Sequence, residues 1–517
     1  MIYTKEQEQV IINNNLRIKI IANPGSGKTF TIIQKYIYMI NNNIISNSKT
    51  IIISYTKKSA KELETRLLNE NISLPKHVGT IHKLCLKILK EYFNINNIII
   101  DDDISKEYIL KVLKKFKINN KKLNKIKKII DYAKTFYPIN FKEACKKNKI
   151  NLSFKTLKLI NKAYNASKKV TNKIDFGDIL QLLMTKLTKN KEILEKILLD
   201  IDCIFFDEFQ DINMIQSCIL EILSKNKRVV VVGDPNQAIY GFRGANKEFI
   251  ANFKGVEYRL NENFRSTKRN ISILNSIYPK SNNTTNNRIG SKPIYKKYNN
   301  LDELLLDVKI SKDSIIIARF NSDLDLIEKI LLEKDINYVR NNAISQRSHS
   351  KLFILLLQLI IKRNMIIKNF ILTEYSKIIN SSILKNIKSV KDIYEFLIKE
   401  YEEKKDINDI CMIYNLYKKK KINSINETIE FINNLTLDNN NVNYDKLTLS
   451  TIHGSKGLEY KNVYFLLDGF SKEELTDEQM RLIYVGCSRV KSNLLLFNVN
   501  EKQNEFIKNL DPRHYNI

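Results

Sequence analysis

The chain has 517 residues, which is too long for one ordinary domain and predicts about two to four compact units. Lysine and arginine outnumber aspartate and glutamate by 86 to 56, and the net charge of +30 favours nucleic acid as a partner, although lysine, asparagine and isoleucine are over-used throughout. The opening residues lack the basic start and apolar run of an export signal, so we expect a cytoplasmic or nuclear protein, and the skewed composition would fit viral or organellar origin.

The first half of the chain predicts one parallel sheet. Short apolar runs bounded by polar residues suit strands that are buried on both faces. The predicted strands are LRIKIIA (16–22), KTIIISYT (49–56), CIFFDE (203–208) and RVVVVGD (228–234). A long segment between them, 91–199, is predicted to be a helical insertion. Its densest basic stretch, 114–128, fits a solvated helical face as well as a contact surface.

The second half repeats this plan. Its predicted strands are SIIIARF (314–320), LTLSTIH (447–453), NVYFLLD (462–468) and NLLLFNV (493–499), with a second helical insertion at 346–440. The apolar run LFILLLQLII (352–361) is about half the length that spans a bilayer, so we predict a buried helix and no membrane association.

These patterns predict an α/β protein with two parallel-sheet domains, each interrupted by a mainly helical insertion. The predicted boundaries are 1–90 and 200–267 for the first sheet domain, 91–199 for its insertion, 268–345 and 441–517 for the second sheet domain, and 346–440 for its reduced insertion. Asparagine-rich pieces such as SNNTTNNR (281–288) and LDNNNVNYD (437–445) are predicted loops or linkers. The six cysteines lack the spacing of metal sites and are predicted core thiols.

The segment ANPGSGKT (22–29) is close to a phosphate-binding loop. Gly25 and Gly27 allow backbone N–H groups to face phosphates, Lys28 can neutralise their charge, and Thr29 can ligate Mg²⁺ where the next helix begins. Ala22 stands where the usual pattern has glycine, but it lies at the strand end and is small enough to keep the turn.

A pair of carboxylates follows the strand CIFFDE. The strand delivers Asp207 and Glu208 at its carboxyl end, where open α/β sheets bind ligands. We predict that Asp207 holds Mg²⁺ through water and that Glu208 orients or deprotonates the attacking water.

With these segments and others in the same order, the chain resembles the UvrD/Rep/PcrA family of superfamily 1 DNA helicases over nearly its whole length. The matching segments are YTKEQEQVI (3–11), ANPGSGKT (22–29), SYTKKSAKEL (54–63), GTIHKLCLKIL (79–89), IDFGDIL (174–180), FFDEFQDIN (205–213), VVGDPNQAIYGFRGA (231–245), LNENFRS (260–266), TLSTIHGSKGLEY (448–460) and RLIYVGCSR (481–489). The resemblance implies that both sheet domains are RecA-like.

The resemblance also implies roles in ATP binding and hydrolysis. Gln7 would read adenine and Phe264 would stack on it, Arg265 and Arg489 would be arginine fingers from the two sheet domains, and Gln237 would sense the γ-phosphate. The expected catalytic residues are therefore Lys28, Glu208, Gln237, Arg265 and Arg489. The expected nucleotide-binding residues are Gln7, Ala22, Asn23, Pro24, Gly25, Ser26, Gly27, Lys28, Thr29, Phe264 and Glu459, with Thr29 and Asp207 as magnesium ligands.

A track for single-stranded DNA is implied across the top of both sheet domains. Bases would stack on aromatic side chains, while hydroxyl and amide groups would hold phosphates. The residues that match this track are Tyr55, Thr56, His82, Tyr240, Phe242, Arg243 and His453.

The resemblance therefore implies an ATP- and Mg²⁺-dependent DNA helicase that moves 3′ to 5′ along single-stranded DNA, binds single strands and single-strand/duplex junctions, and acts in repair, replication or recombination. We expect a monomer or weak self-association, with unknown loading or repair partners. Two alternatives stay open: an ATPase that remodels or recruits proteins without unwinding, and an enzyme of RNA.

Some positions depart from the family's pattern. The family commonly has tryptophan where Phe242 stands and acidic residues near Pro235 and Asn236, which predicts weaker translocation. The second insertion is shorter than in bacterial relatives and contains no glycine, so we do not expect it to grip duplex DNA, or to regulate the enzyme, as it does in those relatives. After Arg489 too few residues follow for the nuclease domain of some relatives.

Overall fold

The computed structural model of the protein describes residues 3–70, 72–340, 347–362, 365–375, 378–401, 407–419, 422, 427, 446–470, 474–499, 505–508 and 510–516. The chain divides into two compact units. The first unit comprises Met1–Gly290 and Leu475–Ser488, and the second comprises Ser291–Glu474 and Arg489–Ile517.

A six-stranded parallel sheet forms the centre of the first unit. With strands numbered in chain order, its spatial order is β3 (His77–Thr80), β2 (Thr50–Ser54), β6 (Cys203–Phe206), β7 (Arg228–Gly233), β1 (Arg17–Ala22) and β8 (Val256–Leu260). The four predicted strands are confirmed and occupy the four central positions. The two edge strands were not predicted, because an edge strand is not enclosed on all sides and is not a continuous apolar run.

Alternate side chains of the central strands are buried in two separate hydrophobic cores. Ile51, Ile53 and Phe206 pack in one core with helices such as Ile81–Phe93, whereas Ile52 and Phe205 pack in the other with the helix Lys28–Asn41. Burial of both faces fixes the register of the sheet, so the carboxyl ends of β1, β6 and β7 meet at one edge. The helices of this unit outside the insertion are Lys5–Ile12, Lys28–Asn41, Lys57–Asn69, Ile81–Phe93, Met214–Leu223, Glu248–Ala251, Lys268–Ile277 and Asp477–Cys487.

The first insertion is helical, as predicted, apart from the short parallel pair β4 (Ile98–Ile99) and β5 (Lys173–Ile174). Its helices are Asp102–Lys115, Leu123–Ala133, Phe141–Asn148, Phe154–Val170, Phe176–Lys189 and Lys191–Leu199. In the basic stretch 114–128 most lysines are exposed, but Lys127 is buried and pairs with Asp131 at 2.5 Å.

A buried ionic cluster joins three segments of this insertion. Asp175 accepts hydrogen bonds from the Nζ atoms of Lys134 and Lys168, at 2.7 and 2.6 Å, and from the hydroxyl of Tyr164 at 2.9 Å. Asp178 pairs with the same two lysines. Burial alone would raise the pKa of Asp175, but the two ammonium groups outweigh it and hold that pKa well below its usual range. Asp175 is thus ionised and tightly paired.

The second unit repeats the design of the first. Its six-stranded parallel sheet has the order β11 (Tyr338–Arg340), β12 (Leu447–Thr451), β10 (Ser314–Ala318), β13 (Tyr460–Leu466), β14 (Val490–Asn498) and β9 (Ile294–Lys297). Again the four predicted strands are confirmed in the central positions, and the unpredicted strands lie at the edges.

The second insertion is also helical where the structure describes it. Among its described residues, the second unit has the helices Leu301–Asp307, Asn321–Glu333, Ser348–Lys362, Met365–Glu374, Ser381–Asn386, Val390–Tyr401, Ile407–Lys419, Ile452–Ser455 and Glu505–Lys508. The run 352–361 lies in Ser348–Lys362, and its Leu352, Phe353 and Leu356 are buried in a core, which confirms the predicted buried helix. Within the described ranges, none of the helices is both long and apolar enough to span a bilayer. The predicted loop 437–445 lies outside the described residues.

Two unit boundaries differ from the predicted ones. Residues 268–290 belong to the first unit, although the prediction began the second sheet domain at 268. Leu475–Ser488 also belongs to the first unit, although it follows β13 in the chain. Its helix is held there by polar contacts: Arg481 Nε donates to the Ala238 carbonyl at 2.6 Å, and Asp477 accepts from Lys247 Nζ at 2.8 Å.

The ionic cluster of the first insertion makes one mutation informative. Asp175→Asn should lower the free energy of unfolding of this insertion by about 3–5 kcal/mol at neutral pH. The change removes one of the two carboxylates that neutralise the buried ammonium groups of Lys134 and Lys168. Hydrogen–deuterium exchange of Phe154–Val170 and Phe176–Lys189 measures this loss. Asp103→Asn, at an exposed carboxylate, should change the free energy of unfolding obtained from exchange by less than about 0.5 kcal/mol. Equal exchange in Asp175→Asn and the unmodified protein would contradict the assignment.

Candidate nucleotide and nucleic-acid site

The loop between β1 and the helix Lys28–Asn41 has the backbone of a phosphate cradle. Gly25 and Gly27 have φ values of +68° and +78°, a region that side chains other than glycine rarely adopt. At Gly25 there is also no room for a side chain, because a Cβ atom there would lie 2.8 Å from Arg265 Cβ. The N-terminus of the helix, which attracts anions, therefore opens directly onto the loop.

Hydrogen bonds hold this loop in place from several sides. Ser26 Oγ donates to the Asn23 carbonyl at 2.8 Å, and Asn23 Nδ2 donates to the Ser281 carbonyl at 2.7 Å. The Pro24 carbonyl accepts from Asn263 Nδ2 at 2.6 Å. Ala22 is the last residue of β1 and is fully buried, which fits its predicted place at the strand end.

Lys28 is the residue of the loop that most clearly indicates a phosphate ligand. Its Nζ atom is buried and has no hydrogen-bond partner among the residues that the structure describes. A buried ammonium without a partner is costly, and phosphate oxygens are the partners that such a group accepts at a helix N-terminus. This geometry fits a nucleoside triphosphate.

Two carboxylates lie beside the loop at the ends of β6 and β7. Thr29 Oγ1 lies 3.5 Å from Asp207 Oδ2, so the two predicted magnesium ligands are adjacent. Burial raises the pKa of Asp207, and the neighbouring Glu208 raises it further. Burial likewise raises the pKa of Asp234. A divalent cation would reverse this trend by favouring the carboxylates, and a hydroxyl beside a carboxylate is a donor set that suits Mg²⁺.

Two glutamines connect Glu208 to the end of β7. Gln210 Nε2 donates to Glu208 Oε2 at 2.5 Å, and Gln210 Oε1 accepts from the Asp234 N–H at 3.0 Å. Gln237 Nε2 donates to Asp234 Oδ2 at 2.8 Å. The predicted general base and the predicted γ-phosphate sensor are therefore joined through Gln210 and Asp234 by hydrogen bonds, of which the two at Asp234 are buried.

Gln7 and Phe264 flank the phosphate loop, as expected for contacts to a nucleobase. Gln7 Nε2 donates to the Ser26 carbonyl at 3.3 Å, and its backbone N–H bonds to Thr4 Oγ1 in a capping box at the start of Lys5–Ile12. The backbone N–H of Phe264 donates to the Gly25 carbonyl at 2.9 Å, and its ring is half exposed.

The predicted arginine fingers belong to different units. Arg265 lies in the first unit, where its Nη1 donates to the Ser488 carbonyl at 2.8 Å. Arg489 lies in the second unit, is buried, and donates from Nη1 to the Leu458 carbonyl at 3.4 Å. Glu459 is in the second unit too, 3.5 Å from Lys491 Nζ. The structure brings together the predicted nucleotide residues of the first unit. The nucleotide roles of these residues, and those of Arg489 and Glu459, stay predictions.

An aromatic cluster is formed by Tyr55, which follows β2, and by residues that follow β7, and it contains four residues of the predicted DNA track. The rings of Tyr55 and Tyr240 stack with centroids 5.1 Å apart, and Phe242 lies 6.1 Å from Tyr240. The guanidinium carbon of Arg243 lies 5.4 Å from the Tyr240 ring centroid and 5.5 Å from that of Phe242. Phe242 is 53% exposed and Arg243 is exposed, so the cluster offers a ring and a cation to solvent.

The remaining track residues lie at helix starts that follow strand ends. Thr56 caps the helix Lys57–Asn69, with Oγ1 accepting from the Ser59 N–H at 3.1 Å. His82 lies in the first turn of Ile81–Phe93 and packs edge-on against Phe176. Burial lowers the pKa of His82 to about 4, so the ring is neutral at physiological pH and can take part through hydrogen bonds and not through charge. His453 occupies the corresponding turn after β12 in the second unit.

Sequence reasoning missed two residues that organise this site. Asn263 contacts both the phosphate loop and the backbone of Arg265, and Gln210 holds Glu208. Both residues lie inside segments that carry the family resemblance, LNENFRS and FFDEFQDIN. Their position next to predicted catalytic residues was the one feature of the sequence that could have indicated these roles.

Comparisons with known proteins find relatives among DNA helicases. The UvrD/REP helicase N-terminal domain matches residues 3–257, and the UvrD-like helicase C-terminal domain matches residues 399–501. A probable DNA helicase II homolog of Mycoplasma capricolum is 28% identical over 99% of this chain and 87% of its own length. The ATP-dependent DNA helicase Rep of Buchnera aphidicola subsp. Schizaphis graminum is 26% identical over 92% of this chain and 90% of its own length. The ATP-dependent DNA helicase PcrA of Staphylococcus epidermidis is 26% identical over 64% of this chain and 50% of its own length.

Lys28→Met tests the phosphate site. The change keeps the length of the side chain but removes the ammonium, so affinity for a nucleoside triphosphate should fall by about tenfold or more, as expected for a lost charge-assisted hydrogen bond. The thermal midpoint of the nucleotide-free protein should not fall, because Lys28 Nζ makes no hydrogen bond there. Titration with a fluorescent ATP analogue and a thermal melt measure the two quantities. Lys280→Met, at an exposed lysine, is the control, and unchanged affinity in Lys28→Met would contradict the assignment.

Proposed function

The chain belongs to the UvrD/Rep family of ATP-dependent DNA helicases, and we propose that it is a motor that hydrolyses ATP to move 3′ to 5′ along single-stranded DNA and separate duplex ahead of it. The observation that carries the proposal is the position of the aromatic cluster relative to the nucleotide site. Gln237 and Tyr240 lie on one short segment after β7, so we expect a movement of Gln237 to shift the ring of Tyr240. The polarity rests on family resemblance.

In this proposal, each catalytic residue of the first unit has a separate role in ATP hydrolysis. Lys28 neutralises phosphate charge, and Glu208, held by Gln210, accepts a proton from the attacking water. Arg265 stabilises the charge that develops on the transferred phosphoryl group. Thr29 and Asp207 would hold Mg²⁺, which supplies positive charge to the phosphates. Arg489 is proposed as a second arginine finger on sequence grounds alone.

Single-stranded DNA, alone or at a junction with duplex, is the proposed partner. Stacking of bases on Phe242 and cation contacts from Arg243 do not depend on sequence, which suits a protein that moves along any strand. We propose repair, replication or recombination as the setting. The relatives named above are bacterial, which favours neither the nuclear nor the viral or organellar alternative.

Strand-separation assays test the motor and its direction. ATP turnover should rise strongly on addition of single-stranded DNA, and a 3′-tailed duplex should unwind while a 5′-tailed one should not. Glu208→Gln should lower kcat by about 100-fold or more, because the general base is lost. Glu221→Gln, at an exposed carboxylate, should leave kcat unchanged.

The outcomes of these assays separate the candidate functions. Stimulated turnover without strand separation from either tail would favour a remodelling or recruiting ATPase. Stronger stimulation by RNA than by DNA would favour an RNA enzyme. Turnover that does not respond to any nucleic acid would overturn the proposal.

Phe242→Ala tests the aromatic cluster. Loss of one stacking ring should weaken affinity for single-stranded DNA by about 1–3 kcal/mol while leaving ATP affinity unchanged. Fluorescence anisotropy of a labelled oligonucleotide measures the effect. Phe154→Ala, which removes a partly exposed ring from the first insertion, is the matched control. Equal DNA affinity in both variants would exclude Phe242 from the track.

A further inference from the structure

The side chain of Asn263 joins the phosphate loop to the segment that carries Arg265. Its side-chain Nδ2 donates to the Pro24 carbonyl at 2.6 Å. Its Oδ1 accepts from the backbone N–H groups of Arg265 and Ser266, at 2.8 and 2.7 Å. The side chain is almost completely buried, so these bonds are shielded from water.

The backbone of Asn263 is held equally firmly. Its N–H donates to the Thr284 carbonyl at 2.7 Å, and its carbonyl accepts from Thr285 Oγ1 at 2.6 Å. Asn287 Nδ2 donates to the Ser266 carbonyl at 2.9 Å, which ties the same strip of chain to the residue after Arg265. The asparagine-rich segment 281–288, which the sequence marks as a loop or linker, is therefore an ordered support, and it ends just before the boundary of the first unit at Gly290.

An asparagine is well suited to this position. The amide donates on one side and accepts on the other, so one side chain can bond to a carbonyl of the loop and to two N–H groups of the Arg265 segment. A carboxylate could accept the two N–H groups but could not donate to Pro24. The contact is also close: a Cβ atom at Gly25 would lie 2.8 Å from both Asn263 Nδ2 and Arg265 Cβ.

We propose that Asn263 is a positioning residue that fixes Arg265 relative to the phosphate loop, and that the segment 281–288 holds Asn263 in that position. The inference rests on the proposed function, because it assigns Asn263 to the hydrolysis that Arg265 serves. Asn263 does not touch the phosphates in this scheme. It acts by keeping the lysine of the loop and the guanidinium of Arg265 at a constant separation, so that both meet one triphosphate.

A double-mutant cycle tests whether Asn263 acts through Arg265. In the full-length protein, with single-stranded DNA and ATP saturating, Asn263→Ala should lower kcat by about tenfold or more, because transition-state contacts are sensitive to small displacements. In the Arg265→Ala background the same change should lower kcat by less than about threefold, since residues that act as a unit are not additive. Asn299→Ala, at an exposed asparagine that bonds to Glu303 and lies outside this segment, is the matched control and should leave kcat unchanged.

The outcomes distinguish this inference from the proposed function. If Asn263→Ala lowers kcat by the same factor in both backgrounds, or changes it by less than about twofold in the first, the positioning role is overturned while stimulated turnover of the unmodified protein still supports the motor. If Asn263→Ala does not fold, as judged by its thermal melt, Thr285→Val replaces it in the cycle. That variant keeps the side-chain shape and removes only the hydroxyl that bonds to the Asn263 carbonyl. Its kcat should fall by about twofold to fivefold, and only while Arg265 is present.

Discussion

The buried ammonium of Lys28 is the constraint around which the first unit is organised. It has no hydrogen-bond partner among the described residues, and two buried carboxylates, Asp207 and Asp234, lower the cost of its charge from a distance. The sheet makes this arrangement possible, because parallel strands bring the ends of β1, β6 and β7 to one edge. Stability and function meet here: a charge that costs free energy in the nucleotide-free protein becomes favourable when phosphate oxygens surround it.

The central strands of both sheets could be predicted because burial on both faces demands continuous apolar residues. The strands RVVVVG and CIFF consist almost entirely of apolar residues, so their composition alone identifies them. An edge strand such as Val256–Leu260, VEYRL, is largely exposed and polar, so it leaves no comparable signal. The asparagine-rich segment 281–288 is a loop, as predicted, but its role as a support could not be predicted, for a related reason. It has little apolar surface to bury, and it is held by hydrogen bonds to residues such as Asn263, which composition does not reveal.

The same contrast holds within the candidate site. Gly25, Gly27 and Lys28 follow a local pattern in which each residue type is required by its own backbone or charge, so a short stretch of sequence is enough to identify them. The partners of Gln210 and Asn263 lie on other strands or loops. Their roles depend on the fold, which brings Asp234 beside Gln210 and Pro24 beside Asn263. Adjacency to Glu208 and Arg265 was the one hint that the sequence offered.

The helix Asp477–Cys487 means that the first sheet domain is not a continuous piece of the chain. Its Tyr484 packs edge-on against Tyr278 at 5.3 Å, and its Arg481 bonds to the segment that carries Gln237. A truncated fragment ending at Gly290 would lack this helix and would leave the Tyr278 ring and the Ala238 carbonyl uncovered. No single cut can isolate the domain intact, and a recombinant version would need the helix supplied as a separate peptide or spliced on through a new linker.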